Sequence, residues 1–412
     1  MPGITTSTMQ FIQRRPRALS CAIAAASFAI AMPAQAGGTI NFGPDQSISV
    51  GFGVRTHFQS VEDAAPDGDG RSKDFDIEDL RLYINGSLNK YIKGTFNANK
   101  KSDNSMQVMD AIAQFEPDPG FNVWMGRMLP PSDRANLAGP FYAMAWNYPG
   151  IVSRYPSYAV GRDDGLMAWG KVADDMLLYS FGAFEGHNNY NGASSQSDNL
   201  LYAGRLAINI LDAEPAPAYY EGTTYFGGFN ILTIGLVFQH QKDGVGTAAD
   251  KGDFNAYNVD VLFETKDTGA GSLTLEGAYY KYDTDDTVDV SSAYLAANGF
   301  GTPSATDNVG GITQGKAYLA SIAYLLPDTI GWGKFQPYAR YQKFQGDKIT
   351  SNGTVLLYDS DVKQIDVGVN YVIAGPNAKI SLTWFKQDVD DGAPGSSSDS
   401  VNGVVLGVQL QF

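Results

Sequence analysis

Residues Ser400 to Phe412, SVNGVVLGVQLQF, decide the fold. Apolar side chains occupy one parity of this stretch, at Val404, Leu406, Val408, Leu410 and Phe412. The other parity carries Gly407, Gln409 and Gln411. This alternation is the period-two signature of a β-strand with one apolar and one wet face. A strand that meets hydrocarbon on one side and water on the other predicts a closed transmembrane barrel, whose strands are roughly 9 to 11 residues long.

The remainder of the chain repeats this pattern. We identify sixteen candidate strands, at 47–56, 77–88, 91–100, 106–115, 121–128, 163–172, 176–185, 199–210, 226–240, 254–266, 272–282, 313–326, 334–344, 361–372, 378–387 and 400–412. A single short apolar run could be a buried strand of any fold. The sixteen together predict an all-β protein, a transmembrane antiparallel β-barrel of 16 strands.

The connections between the strands alternate in length. Short segments rich in turn-forming residues lie at 89–90, 117–120, 173–175, 267–271, 327–333 and 374–377. Long polar segments lie between them, at 57–76, 129–162, 186–198, 241–253, 283–312, 345–360 and 388–399. Two segments depart from the alternation: 211–225 is long where a short turn is expected, and 101–105 is short. Short inner turns opposite long outer loops are typical of outer-membrane barrels.

Residues 1–36 have the features of an export signal. Arg14, Arg15 and Arg17 precede the apolar run 18–32, and Ala34-Gln35-Ala36 matches a signal-peptidase site. The apolar run is about 15 residues, short of the roughly 20 that a spanning helix requires. We therefore assign 1–36 to a signal peptide and 37–412 to the barrel. The only cysteine, Cys21, lies within the signal, so the mature chain contains no disulfide and no cysteine site.

Composition restricts the class of protein further. Mean hydropathy is −0.19 and no later apolar run approaches a spanning helix, so a mature chain in a membrane must cross it as a barrel. The net charge of −15 disfavours nucleic-acid binding. The sequence contains no motif of a hydrolase, metalloprotease or metal site, and we predict no enzymatic activity, no cofactor and no metal. The acidic runs at 67–70 and 388–392 resemble fragments of calcium loops without the full ligand set.

The connection at 129–162 differs from the other long loops because it is apolar and aromatic. Phe141, Tyr142, Met144, Trp146 and Tyr148 would be costly on an exposed loop. We expect this third outer loop to fold inward and constrict the lumen. The alternative is an outer loop used for trimer packing or another surface contact.

The span 75–170 resembles the phosphate-selective porin O and P family of Gram-negative outer membranes. The resemblance is carried by FDIEDLRLYINGSL, DAIAQFEPDPGFNVWMGRM and VGRDDGLMAWG. A chain ending on Phe412 is similar to outer-membrane barrels, whose last strand is read by the assembly machinery. The resemblance implies a trimeric outer-membrane pore for small ionic or hydrophilic solutes, with anions such as phosphate as cargo. The implied partners are the lipid bilayer and lipopolysaccharide.

Strand parity and the inward loop give the candidate pore residues. Arg81, Lys93, Arg205 and Arg340 have lumen parity, and we add Arg127, whose strand has no clear parity. The constriction set consists of Arg81, Arg127, Arg134, Arg154, Arg162, Arg205, Arg340, Asp133, Asp163, Asp164, Tyr142 and Trp146. By analogy with the family, the arginines form an anion path. The alternative is that they pair with lumen acids and hold the loop.

The function therefore has competing interpretations. The first is passive diffusion of small solutes or ions, in which arginines favour anions. Acidic outer loops would instead attract cations and favour a cation-preferring general pore. A third interpretation is a structural barrel that holds an envelope partner.

Overall fold

The computed structural model describes residues 37–100, 106–152, 155, 161–187, 198–246, 250–287, 314–351, 354–390, 392 and 399–412. The predicted signal peptide, 1–36, and Arg154 lie outside these residues. Within the described residues, no helix has the length and apolar character required to cross a bilayer.

The described residues form nineteen strands and one short helix. In chain order they are β1 (Gly37–Asn41), β2 (Ser47–Val61), β3 (Asp74–Ser87), β4 (Ile92–Lys100), β5 (Gln107–Asp118), β6 (Phe121–Met128), α1 (Arg134–Ala138), β7 (Asp163–Val172), β8 (Leu177–Phe184), β9 (Leu201–Asn209), β10 (Ile231–Gly246), β11 (Lys251–Glu264), β12 (Ser272–Asp283), β13 (Gly315–Leu325), β14 (Lys334–Gly346), β15 (Ile349–Ser351), β16 (Thr354–Leu357), β17 (Ser360–Val372), β18 (Ala378–Asp390) and β19 (Asp399–Gln411).

Sixteen of these strands, β2 to β14 and β17 to β19, form one closed antiparallel barrel. Each pairs with its neighbours in the chain, and β19 pairs with β2 to close the ring. The closure includes hydrogen bonds from Phe52 N to Phe412 O at 2.6 Å and from Phe412 N to Phe52 O at 2.9 Å. Strand β1 adds to β2, and β15 and β16 form a separate hairpin. The predicted 16-stranded barrel is confirmed.

Alternation along each strand separates an outer apolar face from an inner face. In β19, Leu406 is 46% exposed and Gln409 is fully buried. In β13, Ile322 is 49% exposed and Ser321 is 6% exposed. Successive side chains point to opposite faces of a strand, so the apolar residues cover the outside and the polar residues line the interior.

The connection between β9 and β10, which the sequence predicts to be long at the short-turn end, is longer than predicted. Strand β9 ends at Asn209 and β10 begins at Ile231, five residues later than the sequence pattern indicates. Residues 210–230, which we call the inner link, therefore join two strands at the short-turn end of the barrel. Tyr219, Glu221 and Thr223 of this link are buried. The inner link folds into the barrel because its aromatic and acidic side chains find partners there.

We expect Val367→Arg to destabilise the barrel. Val367 lies in the middle of β17 on the outer face, 48% exposed. An arginine facing hydrocarbon at mid-depth costs about 2 to 4 kcal/mol. Urea denaturation in lipid vesicles measures the loss, and Val367→Leu is the control. Equal stability of the arginine variant and the wild type would mean that this face does not meet hydrocarbon.

Candidate functional site

The connection between β6 and β7 enters the barrel. We call residues 129–152 and 155 of this connection the lumen loop. Helix α1 begins in it, with Asp133 as N-cap accepting hydrogen bonds from the amides of Ala135 and Asn136. Burial and the neighbouring Asp260 carboxylate raise the pKa of Asp133 to about 7, and the amide of Asn136 opposes the shift. The aromatic residues beyond the helix are buried: Phe141, Trp146, Tyr148 and Tyr155.

Backbone oxygens of the lumen loop are held by side chains from several strands. Arg55 of β2 donates to Trp146 O at 2.8 Å, and Gln409 of β19 donates to Phe141 O at 2.8 Å. Asn370 of β17 and Lys379 of β18 donate to Met144 O and Ala143 O at 2.9 and 2.8 Å. Because inward side chains of β2, β17, β18 and β19 all donate hydrogen bonds to the lumen loop, this loop lies inside the barrel.

A glycine in the closing strand makes room for the largest ring of the loop. A Cβ atom at Gly407 would lie 2.5 Å from the indole ring of Trp146, closer than van der Waals contact allows. The guanidinium of Arg55 lies 4.1 Å from the centre of the same ring and forms a cation–π contact. Trp146 is therefore fixed against the barrel wall.

The inner link meets the lumen loop inside the barrel. Tyr219 donates to Leu129 O at 2.6 Å, and Thr223 Oγ1 accepts from Met144 N at 2.7 Å. Thr223 N also donates to Tyr142 O at 3.2 Å. One insert comes from each end of the barrel, and the two are bonded to each other across the lumen.

A buried charge cluster ties both inserts to the wall. Arg134 of α1 contacts Glu214, Glu221 and Asp260, at 2.7, 3.2 and 3.3 Å. Arg205 of β9 contacts Glu221 and Asp260 at 2.6 and 2.7 Å. Two guanidinium groups thus share three carboxylates from the inner link and β11. Charges buried in this way are stable only when they are paired and hydrogen-bonded.

Arg340 of β14 makes a similar contact three strands away from Asp260. Its guanidinium lies 2.8 Å from Asp366 and donates to Asn147 O at 2.7 Å. Asn147 in turn donates to Asp366 at 2.8 Å. These geometries correspond to the alternative in which lumen arginines pair with acids and hold the loop.

A cavity remains between the inserts and the wall formed by β3 to β6. Its volume is about 630 Å³, and it extends from Lys93, near the turn end of β4, to Arg162, just before β7. Six charged side chains line it: Arg81, Lys93, Arg162, Asp110, Glu116 and Glu221. Neutral polar side chains, Tyr142 and apolar side chains such as Ile112 and Trp124 complete the lining. The charged groups are therefore the points at which this mixed surface can contact a polar solute.

The three cations of the cavity differ in how fully they are neutralised. Lys93 Nζ lies 2.5 Å from Glu116, and Arg162 Nε lies 3.2 Å from Asp110. Arg81 is 3.7 Å from Asp79 and 4.6 Å from the centre of the Phe141 ring. In the described part of the chain, Arg81 Nε has no hydrogen-bond partner. Of the two arginines that line the cavity, Arg81 therefore has the longer ion pair.

Three predicted site residues lie near the end of β6 and the start of β7. Arg127 has the parity of the outward Met125, is 44% exposed, and makes two hydrogen bonds to Asp164, which is 51% exposed. The expectation that Arg127 faces the lumen is therefore wrong: it pairs on the outer face with Asp164, which was expected to flank the inward loop. Asp163 points inward and accepts the amide of Gly186 at 2.7 Å.

Sequence reasoning missed several residues of the site. Arg55 and Lys379 have lumen parity in β2 and β18, so the alternation could have identified them. Glu214 and Glu221 belong to the inner link, whose unexpected length was the only available signal. Among the described residues, no group of acidic, histidine or cysteine side chains is arranged to hold a metal ion.

Several solved outer-membrane proteins share this architecture. An anion-selective porin from Comamonas acidovorans is 14% identical with a TM-score of 0.56, over 89% of this chain and 100% of that one. The outer membrane channel DcaP of Acinetobacter baumannii is 11% identical with a TM-score of 0.54, over 90% and 99%. OmpT of Vibrio cholerae in a trimer form is 12% identical with a TM-score of 0.51, over 89% and 100%. At these identities the likeness establishes the fold.

A comparison with curated proteins gives no match. The family model "Phosphate-selective porin O and P" matches residues 48–412, which include all sixteen strands of the barrel. The chain therefore belongs to the phosphate-selective porin O and P family and is an outer-membrane porin, a channel rather than an enzyme.

Proposed function

We propose that small hydrophilic solutes and ions cross this porin by passive diffusion through the cavity beside β3 to β6. The observation that carries the proposal is the cavity of about 630 Å³, lined by six charged side chains, that the two inserts leave open. The lumen loop acts as the constriction, because it fills the rest of the lumen and leaves open only the side next to β3 to β6. The inner link narrows it further from the short-turn end.

Arg81 provides the main anion contact in this proposal. The guanidinium offers several donors in a planar arrangement that matches phosphate and carboxylate groups. Arg134, Arg205 and Arg340 are engaged by buried carboxylates and act as supports for the inserts. The anion-selective porin with the same fold supports a path of this type.

The acidic loops support a cation-preferring general pore as the second candidate. The cavity lining carries three cations and three carboxylates, so it is balanced. Asp63, Asp67 and Asp69 lie on an exposed outer connection and would concentrate cations near the mouth. Reversal potentials in a salt gradient distinguish the two candidates, and a barrel that conducts no ions would instead favour the structural interpretation.

We further propose that the protein works as a homotrimer in contact with the bilayer and with lipopolysaccharide. The trimer form of the Vibrio cholerae protein supports this assembly. Outward apolar side chains such as Val261, Leu382 and Leu406 supply the surface that meets lipid or a neighbouring copy.

Arg81→Gln should lower the permeability of anions relative to cations. A unit charge acting at about 6 Å in water contributes about 0.7 kcal/mol, which corresponds to a roughly threefold change in the ratio. Reversal potentials across planar bilayers in a KCl gradient give the ratio. Arg71→Gln is the control, because Arg71 bonds to Ser60 and Asn402 on an exposed loop. An unchanged ratio in Arg81→Gln would remove this residue from the path.

Arg340→Ala should lower the free energy of unfolding. It leaves the buried Asp366 carboxylate without its cation, and breaking such a pair costs about 3 to 5 kcal/mol. Urea denaturation of the refolded protein in detergent measures the loss. The double variant Arg340→Met with Asp366→Leu should lose less, because it leaves no unpaired charge. A single variant as stable as the wild type would contradict the supporting role.

Replacing residues 214–225 of the inner link by a short Gly-Ser turn should raise single-channel conductance, because the obstruction from the short-turn end is removed. The variant also carries Arg134→Gln, since Arg134 would otherwise lose Glu214 and Glu221. Arg134→Gln alone is the control that separates the loss of charge from the loss of the link. Equal conductance in these two proteins would show that the link leaves the path free.

A further inference from the structure

Five lysines lie on the outer face of the barrel at the long-loop end. They are Lys281 of β12, Lys316 of β13, Lys343 of β14, Lys363 of β17 and Lys386 of β18, and we call them the lysine belt. The sequence neighbours of each lysine point into the barrel and are buried, for example Gln342 and Phe344 beside Lys343. Alternation therefore directs each lysine outward.

The strand register places these charges against one another. Lys281 lies directly opposite Lys316, and Lys343 lies directly opposite Lys363. Lys386 lies opposite Ile365, the next outward residue of β17 after Lys363. Like charges directly opposite each other in an antiparallel pair destabilise the sheet. The fold thus contains two adjacent repulsive pairs that an external anion would relieve.

Internal acids neutralise only part of the lysine belt. Lys281 pairs with Asp347 at 3.4 Å, Lys343 with Asp361 at 3.0 Å and Lys386 with Asp388 at 3.0 Å. These pairs are solvent-accessible, and exposed pairs contribute little stability. Within the described ranges, no carboxylate forms a close ion pair with Lys316 or Lys363; Asp388, which lies directly opposite Lys363, pairs with Lys386 instead. Two ammonium groups therefore remain available to an anion that approaches from the side.

The position of the lysine belt corresponds to lipid headgroups. Four of the lysines have an outward aromatic residue two positions away in the same strand, on the side of the strand middle. These residues are Tyr279, Tyr318, Tyr341 and Trp384, each about 40% exposed. Aromatic rings of barrels mark the boundary between hydrocarbon and headgroups. Two residues of a strand span about 7 Å, so the ammonium groups extend to the level of headgroup phosphates.

Two further lysines on neighbouring strands have outward parity at the same end, Lys242 of β10 and Lys251 of β11. On β6, Arg127 is neutralised by Asp164. The lysine belt differs from these cations because the register places four of its members in directly opposed pairs.

We propose that the lysine belt binds the phosphate groups of phosphorylated glycolipids in the outer leaflet. The inference deepens the proposed contact with lipopolysaccharide and rests on the long loops facing the cell exterior. Lys316 and Lys363 donate to phosphate oxygens. The paired lysines add attraction as their exposed acids turn toward water or toward bridging divalent cations.

The double variant Lys316→Gln with Lys363→Gln tests the proposal. Purified protein in neutral detergent is titrated with lipopolysaccharide, and bound glycolipid is counted by native mass spectrometry. We expect binding to weaken by about 30-fold, which corresponds to about 1 kcal/mol for each lysine near an anionic lipid surface. The matched control is Lys90→Gln with Lys266→Gln, two exposed lysines at the short-turn end.

Two further ligands identify the source of the phosphate. Lipopolysaccharide stripped of its phosphates should bind the wild type as weakly as the intact glycolipid binds the double variant. Inorganic phosphate at the same phosphate concentration should compete poorly. Wild-type affinity in the double variant, strong binding of the stripped glycolipid, or full competition by inorganic phosphate would each overturn the proposal.

Conductance of the same preparations separates this inference from the proposed pore. The lysine belt lies outside the lumen, so the double variant should conduct as the wild type does. A protein that conducts without binding glycolipid would refute the lysine belt alone. A protein that binds glycolipid and never conducts would refute the proposed diffusion path alone.

Discussion

The pairing of β19 with β2 is the constraint on which the rest of the structure depends. Within hydrocarbon, an unpaired backbone amide or carbonyl costs several kcal/mol, so a sheet can cross a membrane only when it has no free edge. The reciprocal bonds between Phe52 and Phe412 complete this closure. Once the ring is closed, the alternation of each strand produces an apolar exterior and a separate interior.

The lumen loop and the inner link occupy much of the interior, and ion pairs determine where they are held. Each insert carries charges that match the wall: Arg134 in the lumen loop, Glu214 and Glu221 in the inner link, and Arg205 and Asp260 in the strands. Because each guanidinium group pairs with carboxylates from the other insert or the wall, both inserts can be buried at membrane depth. The cavity beside β3 to β6 is the volume that this arrangement leaves open, and the proposed diffusion path uses it.

The sequence predicted the strands well because their two faces meet different solvents. It failed at Arg127 for a physical reason: Trp124 and Met128 of the same strand face inward and are apolar, since they pack against other buried side chains such as Trp169 and Tyr219. Because inward residues of β6 are aromatic or apolar like its outward residues, the sequence of β6 does not show which residues face the lumen. The pairing of the lumen arginines depends on contacts distant in sequence, such as Arg134 with Asp260, which strand patterns cannot indicate. The signal peptide and the role of Arg154 stay predictions.

The contact between Trp146 and Gly407 has a consequence for biogenesis. The lumen loop belongs to the first half of the chain, whereas the glycine that accommodates its indole ring lies in β19, the strand that closes the ring against β2. Gln409 of that strand also holds Phe141 O. The loop can therefore take its observed position only when β19 is present, and a chain that lacks this strand loses both the space for Trp146 and the hydrogen bond to Phe141 O.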